Sequence, residues 1–199
     1  MTGVQTCALP IFRGHGIPSD LVLIGDHAFP LAMNTRGQVL IAASFYGRGR
    51  LVVLGHESYL TSLPNLVDNA LAWLSADPAQ DSPSVGIHPS CSALVGQISG
   101  GRMETRVGPL TQGLGVYITN VYSVQGEEKG LVEFMKAGGG LLLGGQAWSW
   151  AQSNAGQNTL LNFPGNHVSS VAGVYFSEHC GEGTTAGTPG GGEIGRAHV

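Results

Sequence analysis

Short, continuous apolar runs recur along this chain, and several of them end in glycine. A strand buried on both faces is apolar throughout, whereas a strand with one solvated face alternates between apolar and polar residues. The runs therefore predict a sheet that is covered on both sides, which is the usual arrangement of parallel sheets. They span Leu21–Gly25, Gln38–Ser44, Leu51–Gly55, Val85–His88, Leu114–Val121 and Leu141–Gly144.

Helical patterns separate most of these runs. Pro64–Ser75 carries apolar residues at spacings of three and four, with proline in its first turn, as an amphipathic helix does. Two further helices are predicted over Ser90–Ser99 and Glu127–Ala137, and Gly138–Gly140 would end the second because glycine adopts a left-handed backbone without steric cost. The turn Gly47–Arg50 joins two runs as a hairpin. Strands alternating with helices predict an α/β fold, with a largely parallel sheet flanked by helices.

Composition limits the class of protein. The 199 residues suffice for one domain with a sizeable core, and 42% hydrophobic against 11% charged residues excludes a disordered chain. The nine lysines and arginines are scattered singly in a chain of net charge −4, so no basic stripe is available to bind nucleic acid. No apolar run approaches the roughly 20 residues of a membrane span.

The two ends of the chain share an unusual property. With permitted codons, residues 2–11 and 193–199 both back-translate into a short-read sequencing adapter, read in opposite directions. We therefore interpret residues 1–12 and 193–199 as adapter-derived, and residues 177–192 as a low-complexity tail that departs from the preceding pattern. The α/β domain is expected over residues 13–176 and to be incomplete. Without Cys7, the remaining thiols Cys91 and Cys180 fit a reducing compartment, and a disulfide between them is the less favoured alternative.

Ligands of open α/β sheets usually bind outside the carboxyl ends of the strands. The loops that follow the predicted strands are therefore the candidate sites. These loops begin at Asp26-His27, His56-Glu57, His88, Asn120 and Gly145-Gln146.

Two of these loops suggest enzyme chemistry, and both lack an essential group. His56-Glu57 starts like the zinc motif H-E-x-x-H, but Leu60 stands where the second histidine should be. Gln146 occupies the place of a nucleophile on a strand-to-helix elbow and cannot attack, while Ser149 lies too far beyond the strand. We expect no catalytic, metal or cofactor site.

Isolated histidines and tryptophans have ordinary structural interpretations. The remaining histidines show no metal-like spacing, and they are His15, His27, His88, His167 and His179. Trp148 and Trp150 would form an interaction surface if exposed. Burial in the core is the more common fate of such residues, and it is the interpretation that we favour.

Five segments of the chain together carry a family resemblance. They are Gln38–Leu60, Asp68–Leu74, Val85–Ser90, Glu133–Trp148 and Phe163–Phe176. From about Leu21 to Phe176, the chain resembles the N-terminal region of the TRP channel-associated factor family. The resemblance implies an amidotransferase-like, flavodoxin-like domain that lacks the cysteine nucleophile of class I glutamine amidotransferases. It also implies a C-terminal metallopeptidase-like region in full-length members that is absent here.

For function, the resemblance implies association with the cold- and menthol-sensing melastatin TRP channel and regulation of its surface delivery and activity. We therefore expect a non-catalytic interaction domain, cytoplasmic and peripheral at the plasma membrane through the channel. No catalytic residue of the family maps onto this chain. One alternative is a degenerate hydrolase or small-molecule-binding module that uses the loops at Asp26, His56-Glu57 and Gln146. Another is a partial product without function, whose sheet lacks its final strands.

Overall fold

A computed structural model describes residues 16–75, 84–98 and 103–181 of the chain. The strands are β1 (Ser19–Leu23), β2 (Ala28–Met33), β3 (Val39–Tyr46), β4 (Gly49–Leu54), β5 (Val85–Ile87), β6 (Thr105–Val107), β7 (Val116–Asn120), β8 (Gly140–Gly144) and β9 (Val174–Cys180). The helices are α1 (Tyr59–Ser62), α2 (Pro64–Leu74), α3 (Glu128–Lys136), α4 (Ala147–Ser153), α5 (Thr159–Asn162) and α6 (Pro164–Ser169). Three 3₁₀ helices cover Pro89–Gly96, Val121–Ser123 and Ser170–Ala172.

Within the described ranges, nine strands form one sheet in the order β6-β5-β7-β8-β4-β3-β1-β9, with β2 paired to β3. From β6 through β5, β7 and β8 to β4, each strand is parallel to the next in this order. The hairpin predicted at Gly47–Arg50 is confirmed, and it makes β3 antiparallel to β4. The antiparallel pair of β1 and β9 then completes the sheet. The predicted α/β fold class is confirmed, with a mixed sheet as a refinement.

Helices cover both faces of the sheet, as the continuous apolar strands predict. On one face, α2 buries Val67, Leu71 and Leu74 against the strands. On the other face, α3, α4 and α6 pack against the apolar side chains that the strands direct to that face. Leu51–Leu54 of β4 and Leu141–Leu143 of β8 lie between these layers and are apolar throughout because both faces of the sheet are buried there.

The predicted helix over Ser90–Ser99 is wrong as to type. The structure has a 3₁₀ helix at Pro89–Gly96, with Cys91 outside helical geometry at φ −111°. Its start is set locally, because the side chain of His88 accepts a hydrogen bond from the Ser90 amide. Such side-chain bonds compete with α-helix formation.

The helix α3 ends where the glycine triplet predicts. Gly138 adopts φ +118°, in the region that favours glycine. Its amide donates to the carbonyl of Met135, and the amide of Gly139 donates to that of Phe134. The last strand, β9, continues to Cys180, four residues past the domain boundary expected at Phe176.

The outer edge of β9 is closed by a side chain. The Phe176 amide donates to Asn166 Oδ1 at 2.7 Å, and Asn166 Nδ2 donates to the Phe176 carbonyl at 3.0 Å. Asn166 Nδ2 also donates to the Thr159 carbonyl at 3.0 Å. Asn166 therefore takes the place of a neighbouring strand at this point, and its own side chain is buried.

The start of β4 passes very close to the end of α3. A Cβ atom at Gly49 would overlap the carbonyl oxygens of Met135 and Gly139. Glycine is required at this position because the obstructing atoms belong to the backbone and cannot rotate away.

Candidate functional site

The loops that follow the parallel strands meet at one edge of the sheet. The residues after β4, β8, β7 and β5 share this edge because these strands are parallel and in register. Of the predicted loops, only Asp26-His27 lies elsewhere. It faces Phe45 at the end of β3, where the His27 carbonyl accepts from the Phe45 amide. That position is the opposite edge of the sheet.

Glu57 is the centre of a polar group at this carboxyl edge. Gln146 Nε2 donates to Glu57 Oε1 at 3.1 Å, and the Tyr122 hydroxyl donates to Glu57 Oε2 at 3.4 Å. The Tyr122 hydroxyl also accepts from the Gln146 amide at 3.3 Å. The side-chain oxygen Oε1 of Gln146 is buried without a hydrogen-bond partner in the structure. The group joins the loops after β4, β7 and β8 and presents a partly exposed carboxylate.

His56 lies beside this group and is largely buried, with its side chain 12% exposed. Its ring stacks on Tyr59, and its Nδ1 accepts from the Ser58 amide at 3.1 Å. Burial lowers the pKa of His56 below its ordinary 6.5, and the nearby Glu57 carboxylate offsets only part of this effect. His56 is therefore neutral at pH 7 and does not form a charged pair with Glu57.

The neutral state of His56 predicts a pH dependence of stability. The unfolded chain takes up a proton near pH 6.5 and the folded chain does so only at lower pH, so acid favours unfolding. This contribution to stability is present above pH 6.5 and is lost as the pH falls below that value. In His56→Asn, the amide oxygen can still accept from the Ser58 amide, and we expect a smaller acid-induced fall of the thermal midpoint.

Thermal unfolding followed by circular dichroism over a pH series measures this effect. His167→Asn is the matched control, because His167 is exposed and its substitution leaves the buried ring in place. An acid dependence that is the same in His56→Asn and in the parent chain would contradict the prediction.

A second polar group lies between the carboxyl ends of β5 and β7. The chain leaves β5 toward β6 on one side and leaves β7 toward β8 on the other. This divergence is the topological switch point at which open α/β sheets bind ligands. Here Ser90 Oγ lies 2.7 Å from His88 Nδ1, and it accepts from Asn120 Nδ2 at 2.9 Å and from Ser123 Oγ at 3.0 Å.

The contacts of Ser90 oppose a role as nucleophile. A hydroxyl has one proton and two lone pairs. His88 Nδ1 accepts from the Ser90 amide, so the Ser90 hydroxyl can donate to the same nitrogen, while both of its lone pairs accept hydrogen bonds from Asn120 and Ser123. The neighbouring thiol of Cys91 is buried, and burial raises its pKa above the ordinary value. The serine thus connects two loops and the cysteine is kept protonated.

The loop after β8 lacks the geometry of a nucleophile elbow. Such an elbow holds its residue in a strained backbone conformation. Gln146 has extended dihedral angles of φ −137° and ψ 111°. Within the described ranges, positive φ occurs only at glycines. Glu57 and Gln146 present oxygen atoms at this edge that can accept hydrogen bonds from a bound group.

Neither tryptophan of α4 forms a free surface anchor. Trp148 Nε1 donates to the Ile17 carbonyl at 2.8 Å. Trp150 packs edge-on against the buried Phe163, with ring centroids 5.6 Å apart. Trp150 is thus part of the core layer, as the sequence analysis favours, whereas Trp148 fastens the segment that precedes β1.

Three residues of this edge were not predicted from the sequence. Tyr122 and Ser123 lie two and three residues after Asn120, so extending the candidate loop by three residues would have included them. Ser19 Oγ accepts from the Ala147 amide at 2.7 Å and thereby caps α4. No local signal points to Ser19, because its partner is 128 residues away along the chain.

Among the described residues, the isolated histidines of the sequence do not converge on one site, and His88 lies at the carboxyl edge without another of them. His167 Nδ1 lies 3.8 Å from Glu128, and His179 lies on β9. His15 lies outside the described residues. In the described part of the chain, no three His, Cys, Asp or Glu side chains cluster as metal ligands do, and both Cys91 and Cys180 are free.

A family model described as "TRPM8, N-terminal domain" matches residues 1–164 and 156–188. The chain is 51% identical over 189 residues to the TRPM8 channel-associated factor homolog of Danio rerio, which covers 95% of this chain and 20% of that protein. It is 45% identical to TRPM8 channel-associated factor 1 of Homo sapiens and 50% identical to factor 2 of the same organism. Each alignment spans 185 residues and covers 92% of this chain and 19% of the relative. The chain therefore spans about a fifth of the length of these relatives.

Solved structures with the same fold include IMPa from Pseudomonas aeruginosa in complex with an O-glycopeptide. The TM-score is 0.62 at 14% identity, over 92% of this chain and 21% of that one. The IMPa metallopeptidase from the same organism matches with a TM-score of 0.58 at 14% identity, over 80% of this chain and 19% of that one. At this identity the likeness is one of fold alone.

Proposed function

The chain belongs to the TRPM8 channel-associated factor family, and from this premise we propose that it is a non-catalytic domain that binds the melastatin TRP channel. The observation that carries the proposal is the identity of 45–51% to proteins named for association with TRPM8. In this proposal the domain acts in the cytoplasm, reaches the plasma membrane through the channel, and regulates surface delivery and activity of the channel.

The carboxyl edge of the sheet supports a role in binding over a role in catalysis. Ser90 has its proton and both lone pairs engaged, and Gln146 stands unstrained where a nucleophile would be needed. Within the described ranges, no helix is both long enough and apolar enough to span a membrane. A domain of this kind acts through its surface.

Exposed apolar side chains are candidates for the contact with the channel. Leu161 on α5 is 69% exposed, with Leu160 beside it and Val22 on β1 also exposed. Tyr122 at the carboxyl edge is 44% exposed. Contiguous exposed apolar side chains mark interaction surfaces, and tyrosine is enriched among the residues that dominate binding energy.

Co-precipitation with detergent-solubilised TRPM8 tests the proposal. We expect the channel to retain the 199-residue chain, and to retain less of the Leu161→Ser variant because the most exposed apolar side chain is lost. Tyr122→Ser is the corresponding variant at the carboxyl edge, and thermal unfolding shows that each variant is folded. Retention of a full-length human factor 1 without retention of this chain would contradict the proposal.

A further inference from the structure

A concave site of about 400 Å³ opens at the sheet edge opposite to the candidate site. Its walls are the loop after β1 (Ile24–His27), the hairpin turn between β3 and β4 (Phe45–Gly47), the turn Ser170–Gly173 and Tyr175 of β9. The volume lies within the range of small-molecule pockets. The site includes the Asp26-His27 loop, which is a candidate loop from the sequence but does not lie at the carboxyl edge.

Aromatic and exposed aliphatic side chains make up much of the lining. Tyr46 and Tyr175 supply two rings, while the Phe45 ring packs against Phe29 and Trp73 with the Arg50 guanidinium over it. Ile24 is 58% exposed and Val171 is 40% exposed, although both are large apolar residues. Apolar surface left open to water in a concavity is typical of ligand sites.

The charge of the lining favours a positive ligand. Asp26 contributes a carboxylate and His27 an imidazole, and no lysine or arginine is among the described residues that line the site. The faces of aromatic rings attract cations, most strongly where water is displaced. Rings beside a carboxylate therefore suit a cation that also has apolar surface.

The walls are fixed to one another, so that the site exists without a ligand. The Ile24 amide donates to the Gly173 carbonyl at 2.8 Å, and the Phe45 amide donates to the His27 carbonyl at 3.3 Å. Gly173 has φ +75°, and a Cβ there would overlap the Ile24 carbonyl oxygen. A preformed site loses little conformational entropy on binding.

We propose that this site binds an organic cation, an alkylated ammonium or a guanidinium group. The rings of Tyr46 and Tyr175 provide the apolar and quadrupolar surface, and the Asp26 carboxylate provides the countercharge. The site is independent of the proposed channel contact, since it uses none of the residues assigned to it.

Choline and its neutral isostere 3,3-dimethyl-1-butanol are the probes, titrated into the isotopically labelled 199-residue chain and followed by NMR. Choline is expected to bind in the millimolar range and to shift the amides of Ile24–His27 and Phe45–Gly47. The isostere has the same shape without charge, and we expect it to bind about five- to tenfold more weakly. Equal binding of the two would overturn the proposal.

Two variants assign the effect to the lining. Asp26→Asn and Tyr46→Leu are each expected to weaken choline binding about fivefold or more. Glu133→Gln, an exposed carboxylate on α3, is the matched control and is expected to bind as the parent does. Unchanged binding in folded Asp26→Asn, checked by its thermal midpoint, would overturn the role of the countercharge and with it the proposal.

A third titration distinguishes the source of the cation. A short peptide that carries trimethyl-lysine presents the same group as choline on a polypeptide. Tighter binding of the peptide supports a protein side chain as the occupant, and tighter binding of choline supports a free small cation. Failure of both ligands to shift the lining amides overturns the proposal.

Discussion

An Asn166→Ala variant is expected to lose about 3 to 5 kcal/mol of unfolding free energy, because three buried backbone groups lose their partner at once. The amide and carbonyl of Phe176 and the carbonyl of Thr159 are all bonded to the Asn166 side chain. Asn166 is 1% exposed, so water cannot replace these bonds without opening the packing of α6 on β9. Equilibrium denaturation in urea measures the change.

Asn162→Ala provides the matched control. Asn162 ends α5 four residues earlier and its side chain is exposed. Its removal is expected to change the free energy of unfolding by about 0.5 kcal/mol or less. If the two variants were equally stable, the bonds at the edge of β9 would not have the importance that their burial indicates.

A Gly49→Ala variant is expected to lose about 3 kcal/mol, at the upper end for an overpacked core. The added methyl would meet the carbonyl oxygens of Met135 and Gly139, so either β4 or the end of α3 must move. Movement of β4 would disturb its pairing with both β3 and β8. The same urea experiment measures the loss.

Gly130→Ala is the control, and we expect it to change stability in the opposite direction. Gly130 lies within α3, and the nearest atom to an added Cβ is Leu110 Cδ2 at 4.0 Å. Alanine is favoured over glycine in a helix interior by about 1 kcal/mol. If Gly130→Ala were destabilised and Gly49→Ala were as stable as the parent chain, the close contact between β4 and the end of α3 would not be what requires glycine at position 49.

The sequence predicts the central strands well because their environment is uniform. Leu51–Leu54 and Leu141–Leu143 are buried on both faces, so every position is apolar and the pattern needs no knowledge of partners. The strand β2 was missed because it contains Pro30, at which the pairing with β3 is irregular. The short helices α5 and α6 have too few turns to show a period.

The candidate site was predictable only as far as strand direction determines it. His56, Gln146 and Asn120 follow parallel strands, and parallel pairing brings such residues to one edge. The hydrogen bonds that define their roles depend on tertiary packing. The Asp26-His27 loop was expected at the same edge as the other loops. It lies beside the end of β3, which is the opposite edge of the sheet.

The pairing of β1 with β9 has a consequence for how the protein is made. Ser19 pairs with Cys180, so the two strands come from opposite ends of the described chain. A contact between such distant residues carries a high loop-closure entropy and tends to form late in folding. On the ribosome, β1 emerges before the other described strands and must wait until β9 has been synthesised. Until then its unpaired backbone edge is open to other chains, and this interval is when we expect aggregation to compete most strongly with folding.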